Sequence, residues 1–327
     1  MSARTTVLVT SRSFSSGDWD GRAALEQAGV RILTGSPDHD LARLGPELAE
    51  VEAWIAGTGP VTAAHLDAAP LLRLVARYGV GVDAVDLEAA RTHGVAVTNT
   101  PGANSAAVAD HALGLLLAAL RSVAQGDRRV RSGDWRVDRT REISSLCVGI
   151  VGAGRIGRGF AERLMRLGAT VLAHDPWVDP VSLRAAGMEP AALWELAERC
   201  DAVSLHAPGD DVVVDAAWLA AVRRRPIVVN TARARLVDEA AMAAALTEGR
   251  VRAFAADTLA TESGGSASPL LDPSLTDRTV FTPHAAAQTV EAVDAMTRGV
   301  VDAVLAWVQD VELPHVVVAP PNKTGLP

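Results

Sequence analysis

Lysine is all but missing from this chain. Of its 31 basic residues the only lysine is Lys323, in the C-terminal tail. That removes Schiff-base chemistry and the phosphate loop that ends in Gly-Lys-Ser/Thr. Cysteine is equally scarce. Cys147 and Cys200 are too few for a disulfide framework or a zinc site of ordinary spacing, and no metal is expected. Both sit in apolar runs and read as buried thiols. Aromatic residues make up 4% of the chain, so its cores must be built from Ala, Val and Leu. An excess of positive charge is also lacking. The net charge of −8 argues against nucleic acid or an anionic membrane surface as the main partner. The longest apolar run, near Ala112–Leu120, is broken by Gly114 and ended by Arg121, far short of the ~18–20 residues of a membrane span. Met1–Val9 shows no signal-peptide pattern, so a soluble, cytoplasmic protein is expected.

What is present is a chain of 327 residues, 49% apolar and 21% charged, enough for about two domains with buried cores. Short apolar runs alternate with helical patterns. Strands are expected at Thr6–Val9, Val30–Leu33, Leu72–Arg77 and Val95–Thr98. A second series follows at Leu146–Val151, Thr170–His174, Ala202–His206, Ile227–Asn230 and Val251–Ala256. Helices are expected at Gly154–Leu167, Glu239–Glu248 and Thr289–Gln309. Such alternation calls for parallel sheets covered on both faces. Asn99-Thr100-Pro101-Gly102 closes the first series, a long helix is expected from Asn104 to Gln125, and residues 126–145 read as a charged loop. The organisation is α/β, with two Rossmann-like doubly wound domains. One is formed by residues 1–100 plus 287–327, and the other, 101–286, is inserted into it.

The run CVGIVGAGRIGRGF sets Gly152, Gly154 and Gly157 directly after a strand and at the opening of a helix. The first glycine permits a tight turn, the second a close approach of pyrophosphate to backbone, and the third close helix–strand packing. The phosphate charge would rest on the helix N-terminus. The next strand ends at Asp175, eighteen residues after Gly157, about where a carboxylate meets the adenosine ribose. An acid there accepts from a 2′-hydroxyl and repels a 2′-phosphate, which favours NAD over NADP.

From Trp54 to Glu291 the chain resembles the D-specific 2-hydroxyacid dehydrogenases, the family of phosphoglycerate, glycerate and D-lactate dehydrogenases. The resemblance rests on ordered blocks: ARYGVGVDAVDLEAA, VAVTNTPGANSAAVADH, VGIVGAGRIGR, SLHAP, VVNTARARLVDEAAM, AFAADTLATES and FTPHAAAQT. It implies a substrate-binding domain made from both termini and an inserted NAD-binding domain. It also implies a catalytic trio at Arg233, Glu262 and His284, separated by 29 and 22 residues. Imidazole titrates near neutral pH and suits proton transfer to and from a 2-hydroxyl. Glutamate would fix its tautomer, and arginine would grip the substrate carboxylate.

Further contacts are implied by the same resemblance. Arg155 and Ile156 would meet the pyrophosphate, His206, Ala207 and Pro208 the adenosine, and Thr231, Ala232 and Asp257 the nicotinamide. Backbone amides of Tyr78, Gly79, Val80 and Gly81 would hold an anionic substrate, with Arg77 available for a second anionic group such as phosphate or phosphonate. Read from the residues alone, the other seven histidines, including His39, His65 and the helical His111, are structural first, and only the resemblance brings His206 to the adenosine.

The chain departs from the family pattern at three places. Ala234 replaces a glycine, Ser263 replaces a proline, and ESGGSAS is a looser connection, so Glu262 is expected to be the least constrained of the trio. Asp215 in GDDVVVDAAW is expected to cap the helix that follows. A homodimer through the NAD-binding domain is expected. Two alternatives remain open: an NADH-sensing corepressor, or a relative acting on formate, phosphite or a hydroxyphosphonate.

Overall fold

The computed structural model describes residues 5–209, 211–263 and 267–320. Lys323 and Gly264-Gly265-Ser266 of the loosened connection lie outside the described residues. The chain divides into two compact units, 1–104 with 287–327, and 105–286.

The first unit alternates strands β1 (Thr6–Val9), β2 (Arg31–Thr34), β3 (Ala53–Ala56), β4 (Leu74–Arg77) and β5 (Ala96–Thr98) with helices α1 (Gly21–Gln27), α2 (Leu41–Leu48), α3 (Ala63–Asp67) and α4 (Leu87–Thr92). The second unit opens with α5 (Ser105–Leu120) and α6 (Val123–Arg131). Strands β6 (Cys147–Val151), β7 (Thr170–His174), β8 (Glu189–Pro190), β9 (Ala202–Leu205), β10 (Ile227–Asn230), β11 (Ala253–Ala256) and β12 (Thr279–Phe281) follow. Helices α7 (Arg155–Arg166), α8 (Pro180–Ala185), α9 (Leu193–Arg199), α10 (Ala216–Ala221) and α11 (Glu239–Thr247) connect them. The chain then returns to the first unit with α12 (Val290–Val308) and β13 (Val316–Val318).

The first unit holds a six-stranded sheet ordered β13-β5-β4-β3-β1-β2, parallel except for β13. The second holds a seven-stranded, wholly parallel sheet ordered β12-β11-β10-β9-β6-β7-β8. Strands buried on both faces read as unbroken apolar runs, because successive side chains serve opposite layers. Val7 and Val9 face one core of the first unit and Leu8 the other. Ile227 and Val229 do the same against Val228 in the second.

Three expectations need correction. The long helix after Gly102 breaks at Ser122, whose φ is +53°, and α5 and α6 meet at a 55° bend. Residues 123–131, expected in part as loop, are helical. They bury no side chain, so no apolar stripe marks them, and an Asp127–Arg131 pair at 2.9 Å supports the turn instead. Cys147 is only half-buried, 3.9 Å from the buried Cys200. Asp215 does cap α10, accepting from Trp218 N at 2.7 Å. Among the described residues no single helix is long and apolar enough to cross a membrane.

Candidate active site and dinucleotide cleft

In the second unit the chain leaves β6 toward β7 on one side and later resumes at β9 on the other. That is the switch point at which ligands bind in open parallel sheets, outside the carboxyl ends of the strands. The glycines act there as three different devices. Gly152 has φ +92°, and a Cβ on it would lie 2.6 Å from Ala207 N, because the loops after β6 and β9 touch at this point. A Cβ on Gly157 would lie 2.0 Å from the Gly152 carbonyl oxygen. A Cβ on Gly154 would meet nothing within 4 Å. The space over Gly154 is therefore open, and it faces the start of α7. The first intrahelical bond runs from Arg158 N to Gly154 O, so the amides of Arg155, Ile156 and Gly157 precede it and form an anion cradle.

Asp175 follows β7 and accepts from Ala153 N at 2.7 Å and Trp177 N at 2.9 Å, which ties it to the glycine loop. Each oxygen retains a second lone pair for a ligand hydroxyl. Across the switch point, His206 packs on Phe160 and pairs through Nε2 with Ser204 Oγ at 2.9 Å. Burial pushes its pKa down to about 3, so the ring is neutral. Its Nδ1, like Thr231 Oγ1, is buried without a hydrogen-bond partner. Such orphans are uncommon in folded proteins and mark groups awaiting a ligand. Open space, an anion cradle, an acid and two orphaned polar atoms fit a dinucleotide along this edge. Ala207 is half-buried and Pro208 exposed beside them.

The same edge carries the trio. At the end of β10 the buried Asn230 bridges the next turn. Its Oδ1 accepts from Ala232 N at 3.0 Å and its Nδ2 donates to Arg233 O at 2.8 Å. Arg233 is thereby held in extended backbone and donates through Nη1 to Ala232 O. Ala234 adopts no positive φ, so a methyl group is accommodated where the family has glycine.

Glu262 lies in the 3-10 turn Ala260–Ser263. One of its oxygens accepts from Leu259 N at 2.8 Å, and Ala260 N is anchored on Glu239 at 2.9 Å. Contrary to expectation, Glu262 is therefore pinned from its N-terminal side. Its other oxygen lies 2.7 Å from His284 Nδ1.

His284 follows Pro283 with φ +52°. Few residues other than glycine accept that conformation. Asp257 enforces it: the carbonyl accepts from His284 N at 3.0 Å, and the carboxylate accepts from Ala285 N at 2.8 Å and Ala286 N at 2.9 Å. The bond to Glu262 raises the His284 pKa; burial opposes it, the charges of Glu262 and Asp257 add to it, and the charge of Arg233 opposes it. Guanidinium, carboxylate and imidazole, far apart in sequence, thus share one electrostatic neighbourhood.

Residues 113–286 match the family model described as D-isomer specific 2-hydroxyacid dehydrogenase, NAD binding domain. The chain belongs to that family. It is 40% identical over 285 residues to a D-3-phosphoglycerate dehydrogenase of Mycobacterium tuberculosis, a match covering 85% of this chain and 53% of that protein. It is 35% identical over 259 residues to a glyoxylate reductase of Korarchaeum cryptofilum, covering 76% and 77%. A solved NADPH-dependent glyoxylate/hydroxypyruvate reductase of Sinorhizobium meliloti, bound to NADP and malonate, superposes with TM-score 0.81 at 28% identity, covering 96% of this chain and 97% of that one. The chain spans about half the length of the phosphoglycerate dehydrogenases it matches.

Within this dehydrogenase family member, sequence reasoning missed two residues of the site. Asn230 was passed over as the end of a strand, and His111 as a helix interior. His111 Nε2 lies 2.8 Å from Thr282 Oγ1 and 3.4 Å from Asp257 Oδ1. No motif signals the His111 contacts, because they join segments that meet only in the fold; the Asn230 bonds are local, and an asparagine at a strand end, able to bond the backbone two residues on, was their available signal.

The loop after β4 belongs to the first unit. Arg77 is buried and its guanidinium contacts the Tyr78 carbonyl. Tyr78 is turned into the core: its hydroxyl meets Val293 O at 3.0 Å, Thr297 Oγ1 at 3.1 Å and Ser13 O at 3.2 Å. Tyr78 N donates to Ala56 O and Gly79 N to Thr100 Oγ1. Only the amides of Val80 and Gly81 are left for a ligand, fewer than the four expected.

Proposed function

We propose that this protein is an NAD-dependent oxidoreductase that interconverts D-2-hydroxy acids and 2-keto acids. The observation that carries the reading is the 2.7 Å contact between Glu262 and His284 Nδ1, within the field of Arg233. Neutral His284 donates from Nδ1 to Glu262, which leaves Nε2 as a bare acceptor. In the oxidative direction Nε2 takes the proton of the 2-hydroxyl, and Glu262 stabilises the imidazolium that forms. In the reductive direction the imidazolium returns that proton to the keto oxygen. A bound nicotinamide supplies the hydride acceptor or donor. Arg233 holds the carboxylate and polarises the C2 oxygen. A cofactor-sensing corepressor would have no use for this ion pair.

NAD is the cofactor the cleft favours, since Asp175 would repel a 2′-phosphate. The substrate is a small 2-keto acid whose carboxylate meets Arg233. Arg77 supports its own turn, so a second anionic group is not required. The protein works as a homodimer through its second unit. There Trp135 (76% exposed) and Val137 (92%) flank a cleft of about 260 Å³ beside α6 whose lining also includes Arg121, Arg129 and Asp134, and these two exposed apolar side chains are suited to cover by a second copy.

The test is NADH consumption with a panel of 2-keto acids, plain and phosphorylated. Turnover with at least one is expected, and failure with all refutes the reading. His284→Ala is expected to lose 10²- to 10⁴-fold in kcat while still binding NADH. Light scattering should give twice the chain mass, and Trp135→Asp should return it to the monomer value.

A further inference from the structure

The hydroxyl of Thr282 has a single hydrogen, and two neighbours compete for it. Asp257 is 1% exposed, and its carboxylate acts as an acceptor toward Ala285 N and Ala286 N. The Thr282 hydroxyl is in hydrogen-bond contact with Asp257 Oδ1, which as a carboxylate oxygen can only accept. Thr282 therefore donates to Asp257 and must accept from its other neighbour, His111 Nε2, at 2.8 Å. That ordering requires the Nε2–H tautomer of His111. It makes a directed chain from α5 through Thr282 to the Asp257 carboxylate, which also accepts from Ala285 N and Ala286 N, while the Asp257 carbonyl accepts from His284 N. This chain maintains the positive φ of His284, a conformation that costs free energy unless its surroundings impose it.

On the reading of His284 as the proton-transfer base, we propose that His111 is a positioning residue: its Nε2–H, passed through the Thr282 hydroxyl, sets the Asp257 carboxylate and so aims the His284 imidazole at Glu262. His111 touches neither substrate nor reacting atoms. Its effect is read at His284, whose charged neighbours are Glu262, Asp257 and Arg233.

The discriminating experiment is an NMR titration of the histidine rings in the unliganded protein, paired with kinetics. In His111→Leu the donor is lost, the Glu262 bond loosens, and the His284 pKa is expected to fall by about half a unit or more. His111→Gln, which keeps an N–H near Nε2, and Thr282→Ser, which keeps the hydroxyl, should titrate as wild type. Thr282→Val should behave like His111→Leu, and the double variant should be no worse than either alone. In turnover, His111→Leu should lose at least tenfold in kcat with KM for NADH within about threefold.

An unmoved His284 titration in His111→Leu overturns the proposal, as does an equal loss in His111→Gln. A rise in the His284 pKa also overturns it, because loosening the Glu262 bond can only lower that pKa. The NMR arm needs no turnover, so an enzyme that reduces no 2-keto acid would refute the dehydrogenase reading and leave this test intact.

Discussion

Two glycines three residues apart should respond in opposite ways to the same added methyl group. At Gly157 a Cβ would lie 2.0 Å from the Gly152 carbonyl oxygen, whereas ordinary contact begins near 3.4 Å. Backbone cannot swing aside as a side chain can, so Gly157→Ala should cost the roughly 1–3 kcal/mol typical of overpacking. For a domain of 150–250 residues, 1 kcal/mol moves Tm by about 2–4 °C, so a loss of roughly 2–12 °C is expected. Gly154 has φ −74° and ψ −162°, accessible to alanine, and open space around it. Alanine is a poorer N-cap than glycine by up to about 1 kcal/mol, but it restricts the unfolded chain by about 0.4–1 kcal/mol, and the two nearly cancel. Gly154→Ala should therefore melt within about 2 °C of wild type. Its methyl occupies the space assigned to pyrophosphate, so NADH affinity should fall at least tenfold, about 1.4 kcal/mol. Calorimetry and NADH fluorescence titration measure the two effects separately. Wild-type NADH affinity in Gly154→Ala, or a Tm loss equal to that of Gly157→Ala, would refute the division of labour among these glycines.

Other predictions concern titration and cofactor choice. The His284 pKa is raised, so reduction of a 2-keto acid should decline as pH rises through a midpoint above the usual 6.5. The ion pair is 49% and 35% exposed, which limits its worth to roughly 1 kcal/mol. Glu262→Gln should thus lower that midpoint by about half to one unit, and an unchanged pH profile would show the pair to be idle. The same pair stabilises the fold below about pH 6.5 and ceases to do so as pH rises through the raised pKa. His39 behaves oppositely. Buried between Thr10 and the Pro60 carbonyl, it has its pKa pushed down to about 4, chiefly by burial. The unfolded chain takes up that proton first, so about 3 kcal/mol of stability should be lost as pH falls from 6.5 to 4. Melting curves of His39→Asn should be flatter over that range; a drop equal to wild type contradicts this. Asp175→Ala should cut the preference for NADH over NADPH at least tenfold in kcat/KM, and an unaltered ratio would remove Asp175 from the ribose site.

The buried parallel strands were legible in sequence because burial on both faces writes itself as a continuous apolar run. Thr170–His174 and Ile227–Asn230 carry that signature to the residue. The glycine turn was legible for a similar reason, since its conformations admit almost no other residue. Helix α6 was not, because it buries nothing and is held by charge pairs on its own surface. The restraint of Glu262 was also hidden. Replacing a proline by Ser263 appeared to free the carboxylate, but the amide that restrains it belongs to Leu259. The edge strand β13 escaped because it pairs antiparallel to β5, more than two hundred residues earlier in the chain. Sequence reports burial and backbone necessity well, and reports poorly the hydrogen bonds between remote segments.

Helix α5 gives this molecule a gauge. Three consecutive residues look two ways: Ala109 and Asp110 lean on α7, the latter through Arg163 at 2.5 Å, while His111 reaches Thr282 in the turn after β12 that bears His284. The rod is apolar on nearly every side, so it cannot rotate without exposing a core surface. The interval from the glycine loop before α7 to His284 is consequently set by one stiff object rather than by two loops adjusted independently. Breeding a tighter grip on dinucleotide by repacking α7 would drag the proton-transfer group out of line, and the two properties should drift together in any laboratory lineage.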